Sequence, residues 1–182
     1  TFGGFLLFLD PPKEDAAATL KELNDRDVKV KIITGDNRYV AAHVAGAVGL
    51  DPTALLTGAE IAKSTDEALW RLAPNTDVFA EIDPQQKERI VRSLQRTGLS
   101  VGYLGDGIND APALQAADVG ISVETAVDVA RASADVVLLK SDLGVVCVGV
   151  EEGRKTFANT LKYIHITTSA NFGNMVSMAI AT

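Results

Sequence analysis

A chain of 182 residues, 47% hydrophobic and 23% charged, is long enough for one sizeable core and too short to promise two independent ones, and its composition gives no support to disordered or collagen-like classes. A formal net charge of -7 argues against a nucleic-acid partner, which requires a clustered basic surface. The single cysteine, Cys147, rules out an internal disulfide and a cysteine metal cage, and is expected to be buried in a reducing compartment.

The chain opens with "TFGGFLLFLDPP", an apolar stretch without a basic n-region and too short to span a bilayer, so it predicts a buried strand. It lacks an initiating Met and is expected to be a piece of a longer protein. Short apolar or β-branched runs then recur: "VKVKII" at 28–33, "DVFA" at 77–80, "SVGYL" at 100–104, "DVGISV" at 118–123 and "DVVLL" at 135–139. Segments of helical period separate them, at 13–26, 37–50, 84–98, 109–117 and 124–134. Parallel strands can be joined only through a crossover, so the alternation predicts a doubly wound, mostly parallel α/β sheet with helices on both faces. Ligands of such sheets sit at the carboxyl ends of the strands.

Between Asp51 and Thr76 the rhythm breaks. Short helices are expected there, with Thr65 or Asp66 near a cap and Trp70 turned into the core. From Leu143 onward no strand pattern or proline intervenes, and after Lys162 there is no Asp, Glu, Lys or Arg. The ending reads either as a terminal helix packed on the sheet or as the first part of a membrane helix, a full span needing about 20 apolar residues.

Polar groups follow four of the apolar runs: Asp10 in "FLDPPK", Thr34, Gly35 and Asp36 in "KIITGDN", Lys87 in "FAEIDPQQK", and Asp106, Asn109 and Asp110 in "GDGIND". Singly, these are turn and cap residues or a solvated lysine. Together they match what phosphoryl transfer requires: a divalent cation between oxygens, a hydroxyl and amides on the phosphoryl group, and a fixed positive charge beside it. Asp106 offers a hard oxygen to Mg²⁺, with Asp110 in the metal's first or second shell. Thr34 and the Gly35 amide suit phosphoryl oxygens, and Lys87 supplies a compact cation. The loop glycines are expected to let backbone approach an anion and to adopt positive φ.

With "FLDPPKE", "KIITGDN", "FAEIDPQQKERIV", "GDGINDAPAL", "AADVGISV" and "ASADVVLL" in order, the chain resembles the phosphorylation domain of P-type cation-transporting ATPases, members of the haloacid dehalogenase superfamily. The resemblance implies an incomplete haloacid dehalogenase-like fold over 1–142, a stalk helix over 143–163 and the start of a transmembrane helix over 164–182. It assigns Thr34, Gly35, Asp36 and Lys87 to the phosphoryl and nucleotide site, Asn109 to the phosphoryl network, and Asp106, supported by Asp110, to Mg²⁺. Asp10 would lie by the hinge to a nucleotide-binding domain. "LDPPKE" and the C-terminal segment look most like bacterial magnesium transporters, with proton or other cation pumps as alternatives and a soluble Mg²⁺-dependent phosphatase or a regulatory module as further ones. Asn171 and Asn174 share a helix face, and Asn174 better matches the family's membrane ligand; a helix–helix hydrogen bond is the other reading.

The resemblance also implies ATP and Mg²⁺ as cofactors, nucleotide-binding, actuator and membrane domains elsewhere in the parent chain, a bilayer at the C-terminus, and a cytoplasmic position for this part of an integral membrane protein. Family members carry the phosphorylated Asp in a DKTGT segment, which this sequence does not contain, so the chain alone is expected to be inactive and its sheet to lack a central strand.

Overall fold

The computed structural model describes residues 13, 15–140 and 142–181. The expected strand at 2–9 and Asp10 lie outside them. The chain divides into two compact units, one ending at Leu143 and one beginning at Gly144.

In the first unit the apolar runs do form strands, shorter than their patterns: β1 (Ile32–Ile33), β3 (Val78–Ala80), β4 (Gly102–Leu104), β5 (Val119–Val123) and β6 (Val136–Leu138). A further strand, β2 (Leu55–Thr57), lies within the stretch expected to be short helices. The strands form two three-stranded sheets, ordered β1-β3-β2 and β4-β5-β6, and every pairing is parallel. The helices of this unit are α1 (Ala16–Asn24), α2 (Arg38–Ala47), α3 (Gly58–Lys63), α4 (Asp66–Leu72), α5 (Pro84–Arg96), α6 (Ala111–Ala116) and α7 (Asp128–Ser133).

Local chemistry starts most of these helices. Asn37 caps α2 by accepting the Tyr39 N–H, and Thr65 caps α4 by accepting that of Ala68. Thr57 with Glu60, and Asp83 with Gln86, close reciprocal boxes on α3 and α5, the latter helped by Pro84 in its first turn.

Successive β3 side chains point to opposite faces, and both faces are covered. Val78 and Ala80 pack with Ala41 and Ala45 of α2, while Phe79 packs with Ile61, Leu69, Ile90 and Leu94 of α3, α4 and α5. Phe79, Ile61, Leu69 and Ile90 are fully buried, each stabilising the fold by about 1.5–3 kcal/mol. A second cluster gathers Tyr103 of β4, Val91 of α5, Ala113 and Leu114 of α6, and Ala130 of α7. Ile33 and Val101 pack against both clusters, so the two sheets share one core. Leu69, not Trp70, fills the core place of α4; Trp70 is half-buried, because the helical turn that carries Leu69 to zero exposure rotates its neighbour aside.

The second unit is one helix, α8 (Gly144–Ala181), 38 residues long and without proline. It is exposed on every face from Glu152 onward and runs unbroken through Tyr163 and Ile164. Among the described residues no helix is long and apolar enough to cross a membrane. The segment expected to be only the start of a transmembrane helix, 164–182, is helical as far as Ala181, and Thr167, Thr168, Ser169, Asn171 and Asn174 lower its hydropathy.

Candidate active site

The carboxyl end of β1 is a compact polar turn. The Thr34 hydroxyl donates to Asp36 Oδ2 at 2.7 Å and accepts the Asp36 N–H at 3.1 Å. Its backbone is tied to the neighbouring strand by Thr34 N–H to the Phe79 carbonyl at 2.9 Å and Ile82 N–H to the Thr34 carbonyl at 3.0 Å. Gly35 and Asp36 are exposed and Thr34 is half-buried, so a ligand can reach the turn.

The second element is a buried ion pair between distant parts of the chain. Lys87, in the first turns of α5, places Nζ 2.8 Å from Asp110 Oδ1, with the two side chains only 14% and 11% exposed. The Tyr103 hydroxyl donates to the same oxygen at 2.7 Å, and the Gly107 N–H donates to Asp110 Oδ2 at 3.0 Å. Burial alone would raise the Asp110 carboxyl, but Lys87, Tyr103 and the Gly107 amide outweigh it and hold the group below the usual carboxylate range. Burial, reinforced by the adjacent Asp110 charge, pushes the Tyr103 hydroxyl well above its ordinary value, so it stays a donor. One Lys87 N–H is spent on Asp110, leaving two for an anion. A cation at a helix N-terminus is disfavoured by the macrodipole, so both Asp110 and a bound anion offset that cost.

Asp106 lies on the same loop and differs in environment. It is exposed, its backbone carbonyl accepts the Val127 N–H at 3.1 Å, and its carboxylate takes no hydrogen bond or ion pair among the described residues. Asn109 is exposed in the 3₁₀ turn Ile108–Asp110. The loop glycines serve packing: among the described residues the positive-φ glycines are Gly49 and Gly98, so the positive φ expected of Gly105 and Gly107 is absent. A Cβ on Gly105 would come within 2.6 Å of Asp110 Cβ and 2.9 Å of Tyr103 Cε1, so glycine is required for Asp110 to fold back over the loop.

The structure thus joins Lys87 with Asp110 and Thr34 with Asp36. Among the described residues no hydrogen bond or ion pair joins one couple to the other, although Ile33, immediately before Thr34, packs against the cluster containing Tyr103. Asn171 and Asn174 are exposed on α8, in the other unit. Sequence reasoning missed three residues here. Tyr103 had a faint signal, a polar tip inside an apolar strand. Arg38 and Glu81, which form a bidentate pair with Nε–Oε1 3.1 Å and Nη2–Oε2 3.0 Å, had none.

Mg²⁺ favours one or two carboxylates completed by water and substrate phosphate over an all-protein cage. The open Asp106 carboxylate fits that demand, while Asp110 has its oxygens engaged and supports the loop. Among the described residues no group of three or more His, Cys, Asp or Glu side chains could hold a metal ion by itself.

Comparison with known proteins bears on this geometry. Residues 1–118 match the family model described as haloacid dehalogenase-like hydrolase. The chain is 53% identical over 179 residues to "Magnesium-transporting ATPase, P-type 1" of Escherichia coli (strain K12), covering 98% of this chain and 20% of that protein. It is 34% identical over 183 residues to "Calcium-transporting ATPase 1" of Bacillus cereus (strain ATCC 10987 / NRS 248), covering 99% of this chain and 21% of that protein. It superposes with a TM-score of 0.66 and 33% identity on a crystal structure of a zinc-transporting PIB-type ATPase in the E2.Pi state, over 82% of this chain and 20% of that one. The chain therefore spans about a fifth of the length of these relatives. With the family model matching most of the first unit and the parallel α/β layers beneath it, the chain belongs to the haloacid dehalogenase-like hydrolases.

Proposed function

We propose that this chain is the carboxyl-terminal part of the phosphorylation domain, with the stalk, of an ATP-driven Mg²⁺ transporter that works through an aspartyl-phosphate intermediate. The observation that carries the reading is the contrast on one loop: Asp110 locked to Lys87 at 2.8 Å, and Asp106 four residues earlier left open. A phosphoryl site needs that division, one acid spent on orienting a cation and one available to a metal. Mg²⁺ as cargo is favoured over other cations by the 53% identity to the magnesium-transporting relative against 34% to the calcium-transporting one.

In this reading Thr34 Oγ1 and the Gly35 amide hold phosphoryl oxygens, and Lys87 offsets their charge from a fixed position. Asp106 holds the catalytic Mg²⁺, Asp110 keeps Lys87 and the loop in register, and Asn109 joins the phosphoryl network. When bound, Mg²⁺ supplies charge neutralisation between the phosphoryl oxygens and the attacking carboxylate. That carboxylate would come from a DKTGT segment elsewhere in the parent chain, on a strand seated between β1 and β4. Asn174, with Asn171 beside it on α8, would belong to the ion path, and the bilayer, the nucleotide-binding domain near Asp10 and the actuator domain would be the partners. The unit carrying Thr34 and Asp106 would face the cytoplasm.

The deciding experiment is Asp106→Asn in the full-length polypeptide, followed by phosphoenzyme formation from γ-labelled ATP. Labelling should vanish at all Mg²⁺ concentrations while the protein remains folded. Near-parental labelling would overturn the assignment of Asp106.

A further inference from the structure

The Arg38–Glu81 pair lies beside the site and the chemistry above makes no use of it. Its geometry is unusual on three counts. Glu81 has φ 58°, a left-handed conformation that non-glycine residues seldom adopt. Its carboxylate receives three donors from one residue: the Arg38 backbone N–H at 3.2 Å, Nε at 3.1 Å and Nη2 at 3.0 Å. Its own N–H donates to the Asp36 carbonyl at 2.9 Å, next to the Ile82 N–H on the Thr34 carbonyl. Arg38 is the first residue of α2, where the macrodipole disfavours a cation, and the acid placed against it offsets that cost. That acid also accepts the first backbone N–H of α2, so this amide is already engaged.

We infer that Arg38 and Glu81 are positioning residues: a clamp across the carboxyl ends of β1 and β3 that fixes the Thr34–Gly35–Asp36 turn in the geometry that receives a phosphoryl group. The inference rests on the proposed role of Thr34. Gly58 makes room for the left-handed Glu81 backbone, since a Cβ there would lie 2.2 Å from the Glu81 carbonyl oxygen. Arg38 and Glu81 each spend their charge on the other, and the Glu81 N–H ties the pair to the Asp36 carbonyl at 2.9 Å.

The test uses the full-length polypeptide with Glu81→Gln, Glu81→Gly and the exchanged pair Arg38→Glu/Glu81→Arg. Two readouts are taken, the rate and ATP-concentration dependence of phosphoenzyme labelling, and hydrogen–deuterium exchange of the segment 34–38. Glu81→Gln should slow labelling about tenfold at saturating ATP with the half-saturating ATP concentration changed less than about twofold, and speed exchange in the segment about tenfold. Glu81→Gly relieves the left-handed conformation, so it should keep the parental melting temperature and still label slowly, an outcome a merely structural role would not give. The exchanged pair restores the ion pair but not the acceptor for the α2 amide, so it should label faster than Glu81→Gln while staying below the parental rate. Parental labelling and exchange in both single variants would overturn the clamp, as would failure of the exchanged pair alongside a normal melting temperature. If the parent itself does not label, the transporter reading fails, and the exchange measurement alone then decides the clamp.

Discussion

Asp110 derives its importance from what it holds. Removing its partner leaves a buried carboxylate with Tyr103 and Gly107 as its remaining donors. Lys87→Met should therefore cost about 3 kcal/mol in urea unfolding, whereas Tyr103→Phe, which deletes one hydrogen bond and keeps the packing, should cost about 1 kcal/mol. A reversed ranking would mean that the tyrosine, not the lysine, anchors the acid. The acid side of the pH profile follows from the same group. Its folded carboxyl lies below its unfolded value, so its contribution is present above about pH 4 and is lost as pH falls through the folded value. Asp110→Asn should flatten the stability curve in that acidic window and leave neutral-pH slopes alone. At this scale the sequence was informative where chemistry is local: "TGDN" and "GDGIND" each hold their groups within a few residues. Glu81 was illegible, because its partner lies 43 positions away and meets it only once β1 has paired with β3.

Elements were legible in proportion to their length and caps. The 13-residue α5 shows its Asp83 cap, Pro84 and apolar period in the sequence, and its observed bounds stay within two residues of the expected segment. β2 escaped notice since three residues, "LLT", are too few to display alternation, and their strand character comes from pairing with β3. Glycine positions carried the opposite lesson: at Gly105 the expected reasons were approach to an anion and positive φ, and the observed one is the close approach of Asp110 and Tyr103, while Gly58, which the sequence did not single out, lies against the Glu81 carbonyl. Gly58→Ala sets a methyl group against a main-chain oxygen that cannot swing away, so it should destabilise by about 2 kcal/mol, read from the urea midpoint at unchanged slope. It should also loosen the Glu81 turn, which exchange of the Glu81 amide would report.

The whole molecule shows the fold class and hides its completeness. Parallel strands with helices over both faces of β3 follow from the alternation of runs, but no pattern in the sequence states that the strands would divide into two sheets. That division leaves β1 paired only with β3 and β4 only with β5 among the described residues. Residues 1–182 alone should release no phosphate from ATP above the buffer rate, as measured with a coupled phosphate assay. Turnover by this chain would place the nucleophile inside it and redraw the proposed function. The long helix α8 has a mechanical consequence of its own: 38 residues at about 1.5 Å each make a rod of about 57 Å, and a tilt of only about 5° at one end sweeps the other through about 5 Å. Such a pointer converts an angular adjustment too small to disturb close packing into a travel comparable to one helical turn.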